Sequence, residues 1–149
     1  MGCRFCDLDE AIVRRTGQTI PDLFAQRGED GFREAETAAL REVATESGLV
    51  VSTGGGAILR LENVECMQKS GRILFVDRPL DCLLQDMNVQ GRPLLAEGEA
   101  AVRRLYHTRY ALYLERCDLR IENDAGPEAA LERLLAAAKT LEDALLEQD

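Results

Sequence analysis

Two aspartates, Asp7 and Asp9, flank Leu8 where the short apolar segment Arg4 to Asp7 gives way to a run with helical spacing. Carboxylates at the end of a strand lie where open α/β sheets bind ligands, so this pair could supply a base and a metal-side ligand. The same two acids could equally cap the following helix or stand in solvent. Gly54, Gly55 and Gly56 follow directly on Leu49-Val50-Val51-Ser52-Thr53. Three glycines after a buried strand permit positive φ and let a ligand approach bare backbone N–H groups. A tight strand-to-helix turn alone would not ordinarily need three.

Three arginines add planar donor forks that suit carboxylate or phosphate. Arg33 sits in Gly31-Phe32-Arg33-Glu34-Ala35-Glu36, where pairing with Glu36 or Glu29 is the plainer alternative. Arg92 precedes a proline in a polar, glycine-flanked stretch, residues 87–98, of the kind that forms lids. Arg109 stands four residues before Tyr113 on a helical segment, and could also be an ordinary solvated arginine.

The elements that must position these residues alternate. Strands are expected at Arg4 to Asp7, Leu49 to Thr53, Arg72 to Val76 and Asp118 to Ile121, the second and third nearly all apolar. Helices are expected at Leu8 to Arg15, ended by Gly17, and from a Thr19 cap to Gly28. A further helix capped by Asp30 runs to Gly48, and others at Asn63 to Lys69, Leu80 to Asp86, Glu99 to Arg116 and Pro127 to Leu146. Strands alternating with helices imply a parallel sheet covered on both faces. On the last helix, the stripe Leu131, Leu134, Leu135, Ala138, Leu141 and Leu145 is expected to cover one of them.

With 149 residues the chain has the size of one ordinary domain, so 1–149 is treated as a single unit. A net charge of −9 argues against nucleic-acid or membrane-surface partners, and no apolar run approaches a membrane span. A cytoplasmic setting follows as the expectation, with Cys3, Cys6, Cys66, Cys82 and Cys117 as reduced thiols. The Cys3-Arg4-Phe5-Cys6 spacing has no second pair to complete a zinc site, and the single His107 stands far from it.

Taken together, the ordered motifs resemble the shikimate kinase family. They are Phe5-Cys6-Asp7-Leu8-Asp9, Arg27-Gly28-Glu29 with Gly31-Phe32-Arg33 and Glu36, Thr53-Gly54-Gly55-Gly56, Arg92-Pro93-Leu94-Leu95, and Arg109 with Leu112-Tyr113. The resemblance implies a three-layer α/β/α parallel sheet of the P-loop nucleoside-monophosphate-kinase-like type. It implies transfer of the ATP γ-phosphoryl group, with Mg²⁺, to the 3-hydroxyl of shikimate on the route to chorismate. By the same resemblance Asp9 holds the shikimate hydroxyls and acts as base, and Arg33 and Arg109 clamp the carboxylate. Gly54, Gly55 and Gly56 offer backbone to the ring, Asp7 stands beside magnesium through water, and Arg92 neutralises developing phosphate charge.

Two departures from the family pattern are visible. No G-x-x-x-x-G-K-[ST] occurs in the 149 residues, and Gln85 and Asp86 fall where the family often carries an arginine. The chain therefore reads as a member without its first strand, P-loop and first helix. A shikimate-binding or regulatory module without transfer is the alternative function. In the family's strand order, 2-3-1-4-5, the absent strand is central. Three outcomes are then expected: the 49–53 and 72–76 strands close up and pair directly, which is the first choice, the chain dimerises through exposed edges, or it is poorly soluble and partly molten.

Overall fold

Asp7 ends β1 (Arg4–Asp7) and at once begins α1 (Leu8–Thr16), as seen in the computed structural model, which describes residues 2–86 and 98–146. Its Oδ1 accepts from the Asp9 and Glu10 backbone N–H groups at 2.9 and 3.2 Å, satisfying two donors that a helix start leaves open. Gly17, at φ 69°, closes α1 in the left-handed conformation. Thr19 then caps α2 (Ile20–Val43): its hydroxyl accepts from Asp22 N–H and donates to the Asp22 carboxylate. α2 is interrupted at Gly28, with φ 66° and ψ −172°, a region open in practice only to glycine. The break falls where the sequence suggests one, but Gly28 alone separates the two segments and Asp30 lies within the second.

The described residues divide into two compact units, 2–71 with 98–101, and 72–86 with 102–146. In the first, β1 pairs in parallel with β2 (Leu49–Ser52), Arg4 opposite Leu49 and Asp7 opposite Ser52. The crossover through α1 and α2 buries Leu8, Ile12, Leu23, Phe32, Ala35, Ala39, Leu40 and Val43 as one core. After the glycines, a single turn at Ala57–Leu59 leads to α3 (Leu61–Ser70). Asn63, 1% exposed, donates from Nδ2 to the Ala57 carbonyl at 3.0 Å and ties that turn to α3.

In the second unit, β3 (Leu74–Asp77) pairs in parallel with β4 (Leu119–Glu122), Leu74 opposite Leu119 and Asp77 opposite Glu122. α4 (Leu80–Gln85) and α5 (Glu99–Arg116, in this unit from Val102) lie between them in sequence, and α6 (Pro127–Leu146) follows. Arg133 fastens α6 to the end of β4, donating to the Glu122 carbonyl at 2.6 Å and to Asp124 at 2.7 Å. Among the described residues, no helix is long and apolar enough to cross a membrane.

Two expectations need correction. The 49–53 and 72–76 strands do not pair with each other: among the described residues β2 pairs only with β1 and β3 only with β4, in separate two-stranded sheets. On α6, Leu131 and Leu135 are 56% and 54% exposed, while Ala130 is buried and Leu134, Ala137, Ala138 and Leu141 are partly covered. Alanines permit close approach of the helix to β4, so the covered stripe is rotated away from two of the leucines. Leu145 and residues 87–97, most of the expected lid, lie outside what is described at side-chain level.

The Gly28 break has a measurable cost if filled. Gly28→Ala is expected to lower stability by about 1–3 kcal/mol, because no Cβ-bearing residue tolerates that backbone. Urea unfolding checks it, and an unchanged midpoint would contradict the assigned conformation.

Candidate active site

Burial makes Arg33 unusual. Its side chain is 7% exposed and its Nη1 donates to Glu36 Oε2 at 2.8 Å, with Glu36 fully buried. Glu29, 46% exposed, takes a longer contact from Nη2 at 3.3 Å. An ion pair removed from water survives only with good geometry, since desolvation costs several kcal/mol per ion. The Phe32 ring lies 5.0 Å from the guanidinium carbon and adds a cation–π contact. Helical spacing explains the pairing: residues three and four apart share one face. Glu29 and Glu36 therefore flank Arg33 from either side along α2.

The three glycines meet that face. A Cβ on Gly56 would overlap the Arg33 guanidinium, so bare backbone is what lets the planar group lie against the loop. A Cβ on Gly54 would stand 3.6 Å from Glu36 Oε1 and 3.7 Å from Asp9 Oδ1. Both carboxylates thus lie within van der Waals reach of the same side of Gly54. The first unit thereby gathers Asp9, Arg33, Glu36 and Gly54–Gly56 beyond the carboxyl ends of β1 and β2. Gly55 is exposed there. Asp7, next to them, uses one oxygen to cap α1, the structural alternative that its position allowed.

Such an arrangement can bind a polyhydroxylated anion. It presents an exposed carboxylate at Asp9, a pre-aligned guanidinium edge and unobstructed backbone on one side. The pairing of Arg33 with Glu36 and Glu29, the plainer alternative offered by the sequence, is present, but both members of the Arg33–Glu36 pair are buried rather than at the surface. Arg109 belongs to the second unit, partly buried on α5, and makes no hydrogen bond or ion pair with any described residue. Arg92 lies outside the described residues. Among the described residues no group of three or more His, Cys, Asp or Glu side chains could by itself hold a metal ion.

Beside Arg109 on α5 stands a group that the sequence did not reveal. The Tyr110 hydroxyl donates to Asp77 Oδ2 at 2.8 Å, and Arg120 Nε donates to the same oxygen at 2.6 Å. The bond to Asp77 raises the Tyr110 phenol above its ordinary value, with burial adding to it. Burial, then the Asp77 charge, does the same for Tyr106.

Comparison with known proteins finds relatives over most of the chain. The family model for shikimate kinase matches residues 1–139. A shikimate kinase of Clostridium beijerinckii is 43% identical over 120 residues, covering 80% of this chain and 70% of the relative. One from Synechococcus elongatus is 39% identical over 140 residues, covering 91% and 73%. Among solved structures, the shikimate kinase from Acinetobacter baumannii in complex with shikimate superposes with a TM-score of 0.81 at 36% identity. That likeness covers 99% of this chain and 81% of that one.

Two outcomes follow from the site's electrostatics. Glu36→Ala leaves the Arg33 charge buried beside a void and is expected to cost about 3–5 kcal/mol in urea unfolding; a loss below about 1 kcal/mol would show the pair to be solvated. The Tyr110–Asp77 bond favours the protonated phenol in the folded state. Its stabilisation is therefore complete below the unfolded phenol value, about 10, and fades as pH rises through the higher folded one. In an alkaline absorbance titration, the signal lost in Tyr110→Phe should come from a phenol that ionises above pH 10. A lost component centred at or below 10 would contradict the bond.

Proposed function

Because the chain belongs to the shikimate kinase family, and so to the P-loop kinase fold, we propose that its first unit is the shikimate side of a phosphoryl-transfer site. The observation that carries this reading is the buried Arg33–Glu36 pair lying against Gly56, with Asp9 beside Gly54. Glu36 is the fixed partner that orients Arg33. Glu29, more exposed and more distant, is the exchangeable one, and a substrate carboxylate would compete for the same donor. Asp9 holds ring hydroxyls and takes the proton from the accepting 3-hydroxyl. The glycines present N–H groups to the ring. Arg109, in the second unit and with no described counter-ion, carries the carboxylate-binding role that the family motif gives it.

Members of the family use ATP and Mg²⁺. The residues present fit this donor side only in part. Asp7 retains one oxygen that could face a water of Mg²⁺, and magnesium is commonly held by one or two carboxylates plus substrate phosphates. Arg92 is the residue suited to phosphate charge. For the nucleotide itself, the 149 residues contain no G-x-x-x-x-G-K-[ST], hence neither the phosphate-cradling backbone nor its lysine and hydroxyl. This observation favours a second reading for the 149-residue chain on its own: shikimate binding without transfer.

Calorimetry separates the two sides. Shikimate is expected to bind the chain, and Arg33→Ala to weaken it by about 1.5–3 kcal/mol, roughly ten- to a hundredfold. Arg33→Lys should lose less, retaining charge but not the fork. Gly56→Ala should approach the loss of Arg33→Ala although it removes no charge. Equal affinity in wild type and Arg33→Ala would remove the reading. Mg-ATP is expected to bind this chain weakly or not at all; low-micromolar affinity would show a nucleotide site that the sequence does not contain.

A further inference from the structure

The aim of Arg109 is not set by any ionic partner among the described residues, so it depends on the helix that carries it. Arg109 stands three residues after Tyr106 and four before Tyr113, along one side of α5. Ring contacts hold that helix to β3: Phe75 meets Tyr110 edge-on at 5.9 Å and stacks on Tyr113 at 4.8 Å, while Tyr106 stacks on Tyr110 at 5.0 Å. Ring contacts of this kind fix the spacing of helix and strand, whereas a hydrogen bond also constrains direction. Near 5–6 Å from the axis, a roll of about 10° carries a side-chain atom through about 1 Å.

A directional contact between α5 and β3 is the Tyr110 hydroxyl on Asp77 Oδ2. Asp77 is 5% exposed at the end of β3, and Arg120 reaches the same oxygen from β4, so the acceptor is fixed to both strands. Phe75, Asp77 and Arg120 share one sheet face, because Phe75 and Arg120 are partners in register and Asp77 is two residues on. We propose that Tyr110, Asp77 and Arg120 are positioning residues, the Tyr110–Asp77 bond setting the roll of α5 and thereby the aim of the Arg109 guanidinium. The consequence for substrate rests on the carboxylate-binding role of Arg109 given above; the geometric claim does not.

Tyr110→Phe removes the hydroxyl and keeps every ring contact. In the 149-residue chain, the Arg109 Nε–Hε order parameter from NMR is expected to fall in this variant without any ligand present. Shikimate affinity is expected to drop about tenfold, the size of one weakened charge-assisted contact. In an Arg109→Ala background, Tyr110→Phe should cause no further loss of affinity, whereas a general structural effect would act in both backgrounds. Unchanged Arg109 order in Tyr110→Phe overturns the proposal whatever shikimate does, and so does an equal affinity loss in both backgrounds. If order falls but wild type binds no shikimate, the positioning stands and the carboxylate role of Arg109 fails. Should Tyr110→Phe not fold, Arg120→Gln, a change at a half-exposed side chain, decides: reduced Arg109 order supports the proposal and unchanged order overturns it.

Discussion

A charge pair withdrawn from water governs the first unit. Arg33 and Glu36 are tolerable in the interior only because each neutralises the other at hydrogen-bond distance. That requirement reaches outward. α2 must run with this face against the loop after β2, the loop must present no Cβ at position 56, and the end of β1 must bring Asp9 alongside. A hydrophobic pair of equal volume would hold the helix to the loop as well or better. It would not leave a guanidinium aligned in advance at the mouth of a parallel strand pair, so the ionic pair is understood as conformational specification.

The second unit repeats the theme with the exposure reversed. Its buried charge is the acid, Asp77, and its arginine, Arg120, is the exposed member. A carboxylate can accept from several donors at once, which makes Asp77 a junction: one oxygen receives a phenol from a helix and a guanidinium from a neighbouring strand. Arginine in the first unit organises acids around itself; an acid in the second organises donors. Asp77 stands at the carboxyl end of β3, and the Arg33–Glu36 pair lies against the loop that follows the carboxyl end of β2.

Local signals account for what was legible beforehand. β1, α1 with its Gly17 stop, the Thr19 cap, the interruption at Gly28 and the span of α5 all rest on neighbours within a few residues. The clustering of Asp9, Arg33 and the glycines was readable only through the order of motifs, since each residue type alone has an ordinary alternative. What escaped was non-local or ambiguous. Tyr110 and Asp77 are 33 residues apart and leave no trace in any short window. On α6, leucines and alanines cover too much of the circumference for periodicity to select the buried side, and close packing of small residues decided it. Pairing of β2 with β3 was inferred from edge chemistry, but each strand found its partner elsewhere.

The register of the two strand pairs also bears on how the chain reaches its structure. Arg4 lies 45 residues before Leu49, and Leu74 lies 45 before Leu119. Neither pair can be seeded by a hairpin, and each must close a loop of the same length before its first ladder bond forms. Helices, whose contacts are local, will therefore precede both ladders. During synthesis the first pair becomes available once Ser52 has left the ribosome, while the second waits for Glu122. Over that interval α1 and α2 can settle on β1 and β2 with the charged pair already enclosed, so that on the ribosome the first unit is the older part of the molecule.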